Sequence, residues 1–330
     1  MAVKEIFQLG FPWQTQDPFL FCVYHLDHYP KGNAQMGPVA SLEGRNLGND
    51  FTIKDGWRMY HGQTVPGFPS HPHRGFETVT IVNKGFCDHS DSLGAAGRFG
   101  EGDVQWMTAG RGVQHSEMFP LLKKEENNPL ELFQIWLNLP KANKFVDPHF
   151  AMLWHEDIPV ISKDGVTIKV IAGKYENTAA PDPAPNSWAA NLDHEVAIWN
   201  IHVDANTSFS LPKANSDVNR TLYYYEGNEI GINGQSLAPN HGIALDAEAS
   251  FSFTNGAAPS HFLLLQGKPI KEPVAKYGPF VMNTDKEIQQ AMQEYRLTQF
   301  GGWPWPHADN VHDREKGRFA KYPDGTLVEK

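Results

Sequence analysis

The 330-residue chain is short of cysteine: Cys22 and Cys87 are the only two. That is too few for a disulfide framework, which excludes the small cross-linked secreted scaffolds. It is also short of basic charge, with 28 Lys and Arg against 38 Asp and Glu and a formal net charge of -10. Such a chain has no overall positive field to draw a phosphate backbone, so direct nucleic-acid binding is not expected. Nowhere is there the run of about 20 apolar residues that a membrane span needs. The first residues hold no basic region followed by an apolar run, and the expectation is a soluble, cytoplasmic chain.

What is present is a series of short β-branched and aromatic segments cut by glycine-rich turns. Residues 5–10 (EIFQLG), 18–25 (PFLFCVYH), 76–82 (FETVTIV), 86–91 (FCDHSD), 104–108 (VQWMT), 113–118 (VQHSEM) and 130–139 (LELFQIWLNL) read as strands. Candidates at 165–172, 195–203, 207–211, 221–226, 229–232, 242–245, 250–254 and 261–266 repeat this spacing in the second half. Many short strands at near-regular spacing imply an all-β fold of sandwich or barrel type. The length favours two such domains. Residues 29–65 read as loops around one or two strands, LGAAG (93–97) as a turn, and PDPAPNS (181–187) as a loop. A single helix is expected over 284–297. Thr284 and Glu287 have capping-box spacing, while Ile288, Met292 and Tyr295 fall on one face that is expected to pack on the first half. In the tail, WPWP (303–306) is suited to docking in an extended form.

The chemistry is concentrated at residues 70–118, where His71 and His73 form one cluster and His115 and Glu117 another. A strand sends alternate side chains to the same face, so each pair converges. Pro72 cannot donate to a sheet ladder, which places His71 and His73 at a strand end or an edge. Three imidazoles and a carboxylate suit Fe(II), Mn, Co, Ni, Cu or Zn, with one or two octahedral positions left open. The carboxylate is open between Glu117 and Glu77, because regular alternation turns Glu77 inward as well. Phe76 is placed beside the metal. Gln105, Trp106 and Met107 are core or mouth residues, and Arg111 is a turn residue able to pair with a carboxylate. His89 and Asp91 are read as surface groups, and His25, His28 and His61 as surface or hydrogen-bonded histidines. The second half has His194, His202, His241 and His261 but neither H-x-H nor H-x-E, so it is expected to be metal-free.

The stretches GFPSHPHRGFETVT, GDVQWMTAGRGVQHSEM, LELFQIWLNLP and EPVAKYGPFVMNTDKEIQQAMQEYR resemble the pirin family of the cupin superfamily, over roughly residues 64–297. The resemblance implies two tandem cupin β-sandwich barrels and a short C-terminal helix. The expected boundaries are 1–145 for a metal-binding domain, 146–300 for a metal-free domain that includes the helix, and 301–330 for an extension. It further implies one mononuclear iron held by His71, His73, His115 and Glu117, leaving Glu77 to orient a ligand. Two activities follow from it. One is a quercetinase-like dioxygenase opening a flavonol with dioxygen, Glu117 serving as base. The other is a non-enzymatic, metal-dependent regulator with a protein partner. The residues 25–60 and the tail depart from the family pattern and are expected to shape what reaches the metal.

Overall fold

In the computed structural model, which describes residues 2–330, the chain is built from antiparallel strands and one α-helix. It separates into two compact units. The first comprises Met1–Val23, Ile135–Pro140 and Glu156–Lys271, and the second Tyr24–Gln134, Lys141–His155 and Glu272–Lys330. Among the described residues, no helix is long and apolar enough to cross a membrane.

The unit formed mainly by the second half is a β-sandwich. Its larger sheet runs in the order Val3–Gln8, His241–Leu245, Asn219–Glu226, Ser260–Gly267, Ala197–Val203, Val166–Ala172, Val160–Lys163. A four-stranded sheet of Ser208–Leu211, Phe251–Asn255, Ile230–Ile232 and Gln235–Leu237 closes it. Phe251 and Phe253 are buried while Ser252 and Thr254 are exposed, the period-two pattern of a sheet with one wet face. Those rings meet Trp199, Leu222, Phe262 and Leu264 from the larger sheet in one core. Each such side chain contributes roughly 1.5–3 kcal/mol on burial.

The second unit carries 70–118. One sheet is ordered Leu327–Glu329, Phe319–Lys321, Ala96–Gly100, Phe86–Asp91, Val113–Met118, Gly67–His73. The other includes His149–Leu153, Val104–Thr108 and Phe76–Lys84, with parts of Asn128–Asn138 and Phe19–Tyr29. Gly67–His73 lies at the edge of its sheet, where Pro72 is tolerated. At the turn that follows, Gly75 has a φ of +84°, and a Cβ there would sit 2.0 Å from the Val281 carbonyl oxygen. Only glycine fits that conformation and that approach.

The termini cut across the boundaries expected at 145, 146 and 300. Val3–Gln8 pairs with His241–Leu245, while the helix Asp285–Thr298 and the tail belong with the unit that bears the histidine clusters. The helix starts as expected: Thr284 Oγ1 accepts from Glu287 N at 3.2 Å, and Glu287 Oε2 accepts from Asn283 N at 3.1 Å. Its Ile288 and Ala291 pack with Phe280 and Met282. Residues 30–66 hold no strand, only isolated bridges. Ala96 and Gly97, expected to end the turn 93–97, instead open the strand Ala96–Gly100, which is paired on both sides.

Candidate metal centre

Strand register brings the two clusters together. Gly67–His73 pairs with Val113–Met118 so that His71 lies opposite His115. One ligand atom from each of His71, His73 and His115 lies within 4.8 Å of the others. Glu117 continues the row, with Oε2 3.8 Å from His115 Nε2. Phe76 packs against His73 with ring centres 5.0 Å apart, as its position beside the cluster requires.

Three of the four side chains, His71, His73 and Glu117, have polar neighbours that orient them. His71 Nδ1 donates to the Pro69 carbonyl at 2.8 Å, and His73 Nδ1 faces the Pro279 carbonyl at 3.4 Å. Both contacts leave Nε2 for the cluster. Gln134 Nε2 donates to Glu117 Oε2 at 2.6 Å. The Thr80 hydroxyl stands 2.9 Å from both Glu117 Oε1 and Gln134 Oε1, one proton between two acceptors. His115 is fully buried, yet neither of its ring nitrogens has a hydrogen-bond partner. Leaving two such atoms unpaired in the interior costs about 1–3 kcal/mol each. A metal ion fits this donor set, because it would satisfy the orphaned nitrogen and draw the three imidazoles together.

Burial sets the charge state. It lowers His71 to about 4, and pushes His73 and His115 well below the ordinary histidine value. Neutral imidazoles are the ligating form. Burial raises the Glu117 carboxyl, with the Thr80 hydrogen bond opposing it most. His25 is held to about 3 by burial and the Arg58 charge. The unfolded chain protonates all four histidines near 6.5. Between that pH and about 4 it therefore binds more protons than the folded, metal-free chain, and stability falls as pH falls. Thermal melts of metal-free protein are expected to show Tm dropping steadily from pH 7 to pH 4.5. A flat profile would contradict the buried neutral histidines.

Several expectations are revised. Glu77 does not turn toward Glu117: Thr80, three residues on, faces that carboxylate, so alternation puts Glu77 on the opposite side of its strand. There Glu77 Oε1 accepts from Thr108 Oγ1 at 2.7 Å. His89 and Asp91 are not at the surface, both being fully buried. They lie across the ladder from Glu117 and His115 and so share their face, with His89 Nε2 3.2 Å from Asp91 Oδ2. The other face of that strand is covered by the tail, where Asp88 accepts from His312 N and Ser90 from Asn310 Nδ2.

Gln105, Trp106 and Met107 are interior. Gln105 is paired with Thr80 and Met107 with Thr78, which places these two on the cluster's side and Trp106 on the other. Arg111 is exposed and pairs with Asp147 at 3.1 Å. His25 is buried and bonded to Tyr60 Oη at 2.7 Å, and His61 Nδ1 reaches the Gly48 carbonyl. Residues 25–60 approach the cluster through Tyr60, whose ring packs on Phe68, itself 6.4 Å from His71. Trp305 in the tail donates to the Asp91 carbonyl at 2.8 Å. Among the described residues, no set of three close metal-ligating side chains lies within the unit formed mainly by the second half.

Comparison with known proteins agrees with this architecture. The family pattern Pirin matches residues 13–137, and that of the Pirin C-terminal cupin domain matches residues 198–301. The first match runs through residues 25–60, and the tail beyond 301 lies outside both. A pirin-like protein of Solanum lycopersicum is 38% identical over 240 residues, covering 71% of this chain and 77% of its own. Pirin of Homo sapiens is 37% identical over 249 residues, 73% of this chain and 80% of that one. The crystal structure of quercetin 2,3-dioxygenase from Acinetobacter baumannii superposes with a TM-score of 0.72 at 27% identity, covering 91% of this chain and 98% of that one. The fold, the two matched halves and these relatives together place the chain in the pirin family, as a two-domain cupin β-sandwich protein.

Proposed function

We propose that the chain is a mononuclear-metal dioxygenase, with His71, His73, His115 and Glu117 as ligands, iron as the resident metal and a flavonol such as quercetin as substrate. The observation that carries this reading is His115, fully buried with two unpartnered nitrogens beside two oriented imidazoles and a buried carboxylate. Similarity to the Acinetobacter quercetin 2,3-dioxygenase supports the substrate class. The metal would supply Lewis-acid and redox chemistry at the open positions.

The chain's own residues handle position and protons. Glu117 receives the proton of the substrate's hydroxyl, its carboxyl already raised by burial toward a proton-holding role. Thr80 and Gln134 fix the direction of that carboxylate. Thr78 Oγ1, His89 Nδ1 and both polar atoms of the Gln105 side chain are buried without partners on the cluster's side. These groups support a polyhydroxylated ligand, whose hydroxyls they would bond. Phe76, Met107 and Phe150 supply apolar wall and limit water.

The test is anaerobic reconstitution with Fe(II), followed by quercetin and air. The expected result is loss of the flavonol absorbance with about one carbon monoxide released per flavonol consumed. No carbon monoxide from metal-loaded protein would overturn the reading.

A further inference from the structure

The unit formed mainly by the second half is not a plain core. A cavity of about 440 Å³ opens at one end of it, within the range of small-molecule sites. Two of its lining residues have no reason to be there in a purely structural domain. Arg220 is only 2% exposed, and no carboxylate lies within ion-pair distance of it. Its Nε donates to Gln266 Oε1 at 2.6 Å and its Nη1 to the Pro212 carbonyl at 2.5 Å, both neutral acceptors. The Nη2 donors are left over. Glu195 favours its charge from beyond ion-pair distance, but no carboxylate contacts the guanidinium, and arginine is almost never fully buried without a direct partner.

Trp199 is the second. It is 3% exposed, lines the same cavity, and its indole Nε1 has no hydrogen-bond partner. Strand alternation explains why both side chains face inward. Arg220 shares its face with Leu222 and Tyr224, Trp199 shares its face with Ala197, and Gln266 is the ladder partner of both Arg220 and Ala197.

Of the two acidic residues in the wall, Glu195 is held by Asn215, whose backbone and side-chain amides both donate to it, and Glu176 is exposed. Lys174 and Lys213 stand exposed at the cavity, so its lining carries more positive than negative charge. Burial pulls Arg220 down to about 10, which still leaves it a cation at neutral pH.

We propose that this cavity binds a small organic carboxylate, its anion held by Arg220 with a hydrogen bond from Trp199 Nε1 and its body against the apolar wall of Val196, Ala197 and Pro212. A single buried guanidinium in a mostly apolar wall suits a planar, singly charged carboxylate; a phosphate calls for a cluster of cations. The site is independent of the metal centre and of the proposed dioxygenase activity.

Benzoate is the probe, with benzamide as its uncharged counterpart, titrated into the full chain by calorimetry and saturation-transfer NMR. Benzoate is expected to bind and benzamide to bind at least about tenfold more weakly, the scale of a charge-assisted hydrogen bond. Arg220→Gln is expected to weaken benzoate about tenfold or more, and Trp199→Phe about threefold to tenfold. Binding is expected to be unchanged in His115→Leu, which separates this pocket from the metal. Should Arg220→Gln fail to fold, Trp199→Phe and Ala214→Trp, which adds bulk to the cavity wall, carry the test. Absence of benzoate binding, equal binding of benzamide, loss in His115→Leu, or full binding in both Trp199→Phe and Ala214→Trp would each overturn the proposal.

Discussion

Arg98→Met is expected to destabilise the protein by about 3–5 kcal/mol, the cost of stranding one partner of a buried ion pair. Arg98 and Asp88 are both fully buried, and the guanidinium grips the carboxylate through Nε at 2.7 Å and Nη2 at 2.8 Å. The remaining donors reach the carbonyls of His312, Asp313, Arg314 and Lys316. One side chain therefore ties the Phe86–Asp91 and Ala96–Gly100 strands to the tail. Methionine keeps the volume and removes every donor, leaving Asp88 with only the His312 amide. Chemical denaturation measures the loss. Limited proteolysis is expected to cut the variant first within residues 301–318, and a stability change below about 1 kcal/mol would refute this role for Arg98.

The second large effect is one of opposite signs. His115→Leu is expected to leave the metal-free protein as stable as the parent or more so, because it removes two buried nitrogens that nothing satisfies. The same change is expected to abolish the stabilisation that metal gives. A ligand at a thousand times its Kd adds about 4 kcal/mol, and the variant would forgo that gain together with turnover of quercetin. Melting curves with and without Fe(II) measure both halves. A structural histidine would behave otherwise, losing stability in either state.

How much of this was legible in the sequence depended on distance along the chain. The histidine clusters were, because H-x-H and H-x-E on extended backbone converge through local alternation alone. The same logic failed at Glu77, since the turn at Arg74 and Gly75 resets which parity faces the cluster. His89 and Asp91 were misread because their side chains turn into the interior, across the ladder from Glu117 and His115 and with His89 stacked on Phe150, neighbours that come from other strands. LGAAG (93–97) looked like a turn for its glycines, yet Ala96 and Gly97 belong to the strand Ala96–Gly100. Glycine is needed in this strand because its neighbours come very close: a Cβ on Gly97 would meet the Phe319 carbonyl oxygen at 2.9 Å, and one on Gly100 the Gly85 carbonyl oxygen at 2.1 Å. The crossing of the termini has no local signal either, Val3–Gln8 finding its partner only at His241–Leu245. The carboxylate-pocket residues escaped notice for a related reason. Arg220, Trp199 and Gln266 stand on three different strands, and no spacing links them.

The proposed centre holds one metal ion through His71, His73, His115 and Glu117, with Glu77 facing away. Metal analysis of the purified chain beside its His115→Leu, Glu117→Gln and Glu77→Gln variants tests it most directly. About one metal per chain is expected in the parent and in Glu77→Gln, almost none in His115→Leu, and a marked loss in Glu117→Gln. Full metal in His115→Leu, or its loss in Glu77→Gln with Glu117→Gln unaffected, would contradict it.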